Sequence, residues 1–304
     1  MTASDKKIIE EISKLKKEKQ ATILVHNYQP PQIHQVADFV GDSLELSRLA
    51  ANTPAKVIVF CGVHFMAETA SILSPDKTVL LPAPNAGCPM ADMATPKDLQ
   101  SLKKELPGYA VVTYVNSSAA VKALSDICCT SANAVKVVSS LSTNDILFVP
   151  DRNLGKYVAS RTGKNIRLWP GYCPVHNGIT AAHILSQKTR YPDAKVIAHP
   201  ECTMEVINLA DEVLSTGGMV KYCRGLTSGE VIVATDTGML FRLEKENPAV
   251  TFIPASIEAR CHDMQLTTLK DVLHSLQEMS GEVKVREDIR LQAYRAVERM
   301  LEVS

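Results

Sequence analysis

Three stretches of this chain keep step with one another across forty positions without a gap. They read ILVHNYQPPQIHQVADFVGDSLELSRL, VVTYVNSSAAVKALSDICCTSANAVKVV and VIAHPECTMEVINLADEVLSTGGMVKYC. Aligned on His26, Tyr114 and His199, they place Asp38, Asp126 and Asp211 twelve positions on. Ser43, Ser131 and Thr216 follow at seventeen, and Met66, Leu154 and Met239 at forty. A repeat of this length constrains the fold more than any other feature, because each copy must solve the same local folding problem. Each copy opens with a short β-type run and passes into a helical pattern. The runs ATILV, KVIVF and EVIVA are apolar throughout, as are strands buried on both faces of a parallel sheet. Alternating strands and helices imply right-handed βαβ crossovers. The expected fold is therefore α/β: three homologous three-layer αβα sandwich domains with short parallel sheets around a pseudo-threefold axis. Residues 1–90 form the first repeat with an N-terminal helix near 4–19. Residues 91–176 form the second, and 177–304 the third with a C-terminal helix near 284–302.

The charge balance removes several classes of function. Lysine plus arginine and aspartate plus glutamate number 33 each, so the basic excess of a nucleic-acid binder is absent. No apolar run approaches the roughly 18 residues of a membrane span. The opening MTASDKKIIEEISKLKKEKQ is charged and helix-like, unlike a secretion signal. A cytoplasmic location is expected, and the eight cysteines are expected to be free thiols in a reducing compartment. No CxxC pair occurs, which weakens zinc-ribbon and thioredoxin readings.

Three of those cysteines obey the repeat. Cys88, Cys173 and Cys261 lie 62, 59 and 62 positions after the three anchors. Each sits in a loop of turn-forming residues after a short β-like run and before an amphipathic helix, near 95–106, 179–190 and 267–279. Cys61, Cys128, Cys129, Cys202 and Cys223 lack this relation and read as buried small hydrophobes. Open α/β sheets bind ligands at the carboxyl ends of their strands, and the loop cysteines come off that end. Three thiolates meeting there suit a 4Fe–4S cluster with one iron left open, or zinc with a bound water. Spacing separates these two poorly.

The anchors supply a second repeated set. His26–Tyr28, Tyr114–Asn116 and His199–Glu201 are i, i+2 pairs at strand ends. Imidazole, phenol and carboxylate groups can each transfer protons, which makes Tyr28, Tyr114, His199 and Glu201 candidate acid–base groups. Ser43, Ser131 and Thr216 stand where helices are expected to open. They read either as ordinary caps or as donors to an anion such as a carboxylate or phosphate.

At these residues the sequence resembles the quinolinate synthase family, iron–sulfur enzymes of NAD biosynthesis. The carrying motifs are HNYQ at 26–29, VGDS at 40–43, CPMADM at 88–93, YVNSS at 114–118, GYCPVH at 171–176 and HPEC at 199–202. The resemblance runs from about residue 5 to the C-terminal helix. It implies a 4Fe–4S cluster on Cys88, Cys173 and Cys261, with the open iron acting as a Lewis acid. It implies iminoaspartate contacts from His26, Ser43, Tyr114, Val115, Asn116, Ser131, His199, Pro200, Glu201 and Thr216, and acid–base work by Tyr28. The implied reaction condenses iminoaspartate with dihydroxyacetone phosphate to quinolinate, phosphate and water. A transient partner enzyme supplying iminoaspartate is implied as well; a nucleic-acid or membrane partner is not. The chain departs from the family pattern at His262 and Asp263, beside the third cysteine, and at Asp236 in ATDTGM, where glutamate is expected. From other classes, a non-catalytic iron–sulfur sensor or electron carrier and a zinc hydrolase or lyase remain as alternatives.

Overall fold

The computed structural model describes residues 2–303 and contains three four-stranded sheets, every strand pair parallel. The first holds β1 (Ala21–His26), β2 (Phe39–Gly41), β3 (Val57–Cys61) and β4 (Thr78–Leu80), in the order β2-β1-β3-β4. The second holds β5 (Ala110–Tyr114), β6 (Ile127–Cys129), β7 (Asp145–Val149) and β8 (Asn165–Leu168), ordered β6-β5-β7-β8. The third holds β9 (Lys195–Ala198), β10 (Glu212–Val213), β11 (Gly229–Ala234) and β12 (Val250–Pro254), ordered β10-β9-β11-β12. Helices flank each sheet, so the architecture is three αβα sandwiches, as the repeat predicts. The central strands are apolar because helices cover both faces; every residue of β3 is buried.

The aspartates twelve positions beyond the anchors explain part of the register. Asp38 accepts a hydrogen bond from the Ile23 amide at 2.8 Å, Asp126 from Val111 at 2.7 Å and Asp211 from Val196 at 2.8 Å. Each carboxylate ties the turn before an edge strand back to the start of the first strand of its sheet. The residues forty positions on also agree. Met66, Leu154 and Met239 are buried, each early in the helix after β3, β7 or β11.

The three sandwiches are linked cyclically. The helix after Cys88, Pro96–Glu105, packs Leu99 against Val111, Leu147 and Val149 of the second sheet. The helix after Cys173, Ala181–Arg190, packs Ile184 against Val196, Ile232 and Ile253 of the third. The helix after Cys261, Leu269–Glu278, returns to the first sheet, with Val272 and Leu276 in one cluster with Ile23, Val25, Val57 and Val59. Each cysteine turn is therefore the joint by which one sandwich hands the chain to the next, and the third hand-over closes the ring.

The terminal helices seal outer faces. Ala3–Glu18 is started by a capping box between Thr2 and Asp5 and buries Ile12 in the cluster of the first sheet and the helix Leu269–Glu278. The helix Glu287–Val303 lies against β6 and the helices Ala119–Lys122 and His64–Leu73, at the junction of the first and second sandwiches. Among the described residues no helix is long and apolar enough to cross a membrane.

The cyclic joints predict matched costs. Leu99→Ala, Ile184→Ala and Leu276→Ala should each destabilise the protein by about 2–5 kcal/mol through the cavity left behind. Leu185→Ala, at a side chain 55% exposed in the same helix as Ile184, should change stability by less than about 0.5 kcal/mol. Denaturant midpoints measure all four.

Candidate active site

The carboxyl ends of the three sheets and the three cysteine turns face one cavity. Its lining includes Cys88, Cys173 and Cys261; the strand-end residues His26, Tyr28, Tyr114, Asn116, His199 and Glu201; and the hydroxyl residues Ser43, Ser131 and Thr216. Val115 and Pro200 do not line it. Val115 continues the pairing of β5 by donating its amide to Cys129, and Pro200 borders a neighbouring cleft that shares Ser131. The other five cysteines are buried away from the cavity.

The i, i+2 spacing proves to be local chemistry. The Tyr28 amide donates to His26 Nδ1 at 3.2 Å, and the Glu201 amide donates to His199 Nδ1 at 3.4 Å. An Nδ1 that accepts leaves the proton on Nε2. Burial, with charge from surrounding groups, holds both imidazoles down to about 3, so both are neutral at pH 7. Two neutral rings with defined Nε2–H donors therefore line the cavity.

Beside them lies a buried ion pair. His176 Nδ1 is 2.7 Å from Glu201 Oε2, and both side chains are almost fully buried. Burial is the largest single influence and works against charge on either partner, but the partner's charge, the hydrogen bonds to the pair and further charged neighbours together outweigh it, lifting the imidazole and lowering the carboxylate. His176 also stacks on His199 with centroids 4.5 Å apart, which helps to keep the second ring neutral. Glu201 Oε1 accepts from the Tyr114 hydroxyl at 2.5 Å. On the other edge of the imidazolium, Nε2 is 2.8 Å from Thr235 Oγ1, which is 2.5 Å from the Tyr28 hydroxyl. Tyr114, Glu201, His176, Thr235 and Tyr28 thus form one continuous hydrogen-bonded chain that draws on all three sandwiches. Burial and neighbouring carboxylates raise both phenols, which stay protonated.

The hydroxyl residues are not caps. Asp42 and Ser215 cap the helices that Ser43 and Thr216 begin, and the helix after Ser131 starts only at Ala134. This corrects the reading of Ser131 as a helix-opening residue. Thr130 and Asn133 hydrogen-bond across it and hold it in a turn. None of the three hydroxyls caps its helix, and all three residues line the cavity. The buried Asn116 Oδ1 has no partner among the described residues.

The cysteine turns are tied to one another. The Gly87 amide donates to Asp263 at 2.9 Å, joining the first turn to the third. The Trp169 indole donates to the Met93 carbonyl at 2.8 Å, joining the second to the first. Asp236 accepts from the Cys261 amide at 2.6 Å and from Gly238 at 2.7 Å. Asp263 and Asp236 thus have a structural role, in fixing the third turn.

The donor set can hold a metal. Cys88, Cys173 and Cys261 are free and half-buried. Burial pushes Cys88 up to about 12 and Cys261 to about 11, and raises Cys173 well above the ordinary thiol value. Three thiols become thiolates in so apolar a place only beside a cation, which is the chemistry of a metal centre. A tighter group, Cys173, His176 and Glu201, has ligand atoms within 4.8 Å of one another. Its members already bond to each other, however: His176 Nδ1 serves both Glu201 and, at 3.2 Å, Cys173 Sγ. That geometry is a proton network more than a cage.

His176, Thr235 and Asp236 were marginal in the sequence. The register holds a signal for one of them, because Val63, Asp151 and Asp236 stand thirty-seven positions after the three anchors. Of the two aspartates, Asp236 lines the cavity, whereas Asp151 caps the helix Arg152–Thr162.

Comparisons with known proteins agree on one family. The profile described as "NadA: Quinolinate synthetase A protein" matches residues 10–302. The chain is 59% identical over 297 residues to the quinolinate synthase of Dehalococcoides mccartyi, covering 98% of each chain. It is 56% identical over 293 residues to that of Geotalea uraniireducens, covering 96% of each. It is 52% identical over 300 residues to quinolinate synthase 2 of Methanosarcina acetivorans, covering 99% of this chain and 97% of the relative.

A buried neutral histidine makes stability depend on pH with a definite sign. Below about 6.5 the unfolded chain binds a proton that folded His26 does not take until about 3. Stability should therefore fall as pH drops through this window. His26→Gln should flatten the fall by up to about 1.4 kcal/mol per pH unit, as measured by denaturant melts between pH 7 and pH 5.

Proposed function

The chain belongs to the quinolinate synthetase A family, and from that premise we propose that it condenses iminoaspartate with dihydroxyacetone phosphate. The products are quinolinate, phosphate and water, in the route to NAD, and the location proposed is the cytoplasm. The observation that carries this reading is the convergence on one cavity of three register-related cysteines and a repeated His, Tyr, Asn and Glu set. An electron carrier has no use for the second set; zinc on the same three thiolates is the competing reading, and metal content separates the two.

Cys88, Cys173 and Cys261 would hold a 4Fe–4S cluster. When bound it supplies one iron without a protein ligand, a Lewis acid for a substrate oxygen. The remaining work falls to the chain. The Nε2–H groups of His26 and His199 and the hydroxyls of Ser43, Ser131 and Thr216 donate to carboxylate and phosphate oxygens. Neutral imidazoles suit this task because they donate without gaining or losing a proton at working pH. Asn116 Oδ1, lacking a protein partner, accepts from the imine N–H. Glu201 stays ionised against His176 and takes a proton from carbon during enolisation. Tyr28, coupled to His176 through Thr235, returns protons to oxygen during dehydration, and Tyr114 fixes Glu201 through its hydroxyl. Val115 and Pro200 shape the strand ends behind these contacts.

Protein purified and assayed without oxygen should be brown, carry about four irons per chain and form quinolinate. Cys88→Ala, Cys173→Ala and Cys261→Ala should each lose iron and colour, whereas Cys61→Ala should keep both. A colourless zinc protein, or iron retained in Cys261→Ala and lost in Cys61→Ala, defeats the assignment. Glu201→Gln should keep the iron and lose turnover by at least about a hundredfold, the scale of general acid–base catalysis; undiminished turnover removes Glu201 from the chemistry.

A further inference from the structure

Thr216 stands at the cavity but is oriented from the first sandwich, by a residue that does not line it. Asn27 follows the last residue of β1, is fully buried, and donates from Nδ2 to Thr216 Oγ1 at 2.8 Å. Its Oδ1 accepts from Arg242 Nη1. The same Nη1 donates to the Val40 carbonyl of β2 at 3.0 Å, and Arg242 Nε is held by Glu246 at 2.9 Å. Arg242 belongs to the helix Gly238–Glu246 of the third sandwich, so this arginine crosses the joint between first and third.

The chemistry of the guanidinium settles which way the carboxamide faces. A guanidinium has donors and no acceptor, so the atom of Asn27 beside it must be the oxygen. The NH2 group must then face Thr216. A hydroxyl whose oxygen already accepts from that NH2 keeps its own hydrogen free, and this hydrogen is left for the cavity. The Asn27 amide is pinned as well, by donating to Gly41 at 3.1 Å.

We propose that Asn27, locked by Arg242, is a positioning residue that makes Thr216 a committed hydrogen-bond donor to an anionic group of the substrate. The proposal rests on the reading of Thr216 as a substrate contact. It adds that the contact is made competent only when the first and third sandwiches are docked, because donor and lock come from different repeats. A carboxylate or phosphate, which only accepts, gains from a hydroxyl committed in this way. A group that must donate is disfavoured at the same place.

Asn27→Asp tests the polarity with little change of shape. The carboxylate keeps Arg242 but can only accept from Thr216, which turns the hydroxyl hydrogen out of the cavity. In the holoenzyme, the dissociation constant of succinate (the carbon skeleton of iminoaspartate without the imine) should rise about tenfold to hundredfold. The KM for iminoaspartate should rise in proportion, with kcat within about twofold, and iron content and melting temperature unchanged. In a Thr216→Ala background the same substitution should have no further effect, whereas simple repulsion by the new charge would persist there. Arg242→Met, which frees the carboxamide to rotate, should give a smaller rise that also vanishes without the Thr216 hydroxyl. Unchanged succinate binding in Asn27→Asp, or an effect of equal size with and without Thr216, overturns the proposal even if quinolinate is formed. Weakened succinate binding that needs Thr216, in a wild-type protein forming no quinolinate, sustains it and overturns the reaction instead.

Discussion

The handing of each cysteine turn to the next sandwich is the constraint on which the rest depends. A helix that packed back on its own sheet would leave three separate domains with three separate turns. Instead Leu99, Ile184 and Leu276 each bury into the neighbouring core, and the third closes the ring on the first sheet. Hydrophobic burial, which has no direction of its own, thereby fixes where three thiols meet. Parallel sheets put all their strand ends on one side, so the same closure brings His26, Tyr114 and His199 to the same place.

Within that ring the site separates two kinds of histidine by what their nitrogens meet. His26 and His199 accept a backbone amide at Nδ1 and have no ion-paired carboxylate among the described residues, so burial keeps them neutral. His176 meets Glu201 at Nδ1, and the pair keeps both charges. Removing one partner of such a pair would leave an uncompensated buried charge. Neutral and charged imidazoles are thus supplied by one residue type in two surroundings, stacked 4.5 Å apart in the case of His176 and His199.

The loops that carry this chemistry are held by polar ties as well as by packing. Asp263 reaches Gly87, Trp169 reaches Met93, and Asp236 holds the Cys261 amide. Asp263 and Asp236 are the acidic members of this set. Their carboxylates bond backbone amides, which any side chain can present, so the ties do not depend on the identity of the residue at the other end.

Much of this was written in the sequence. A register gapless over forty positions marked out three α/β units, and nearly equal spacing beyond it, at 62, 59 and 62 positions, singled out Cys88, Cys173 and Cys261 among eight cysteines, because period and spacing are properties of the chain itself. Asp38, Asp126 and Asp211 stood in that register, and their hydrogen bonds are local enough to follow from it. His176, Thr235, Asn27 and Arg242 were not legible as a group, since their partners lie as far off as Arg242 is from Asn27. Nor could spacing tell a cap from a cavity hydroxyl at Ser43 and Thr216, because either use puts a hydroxyl at a helix start. Chain order determined what each repeat contains. Only the docking of the repeats decided which nitrogen is charged, which hydroxyl points inward and which sandwich supplies the lock, because those states depend on atoms that meet across the joints.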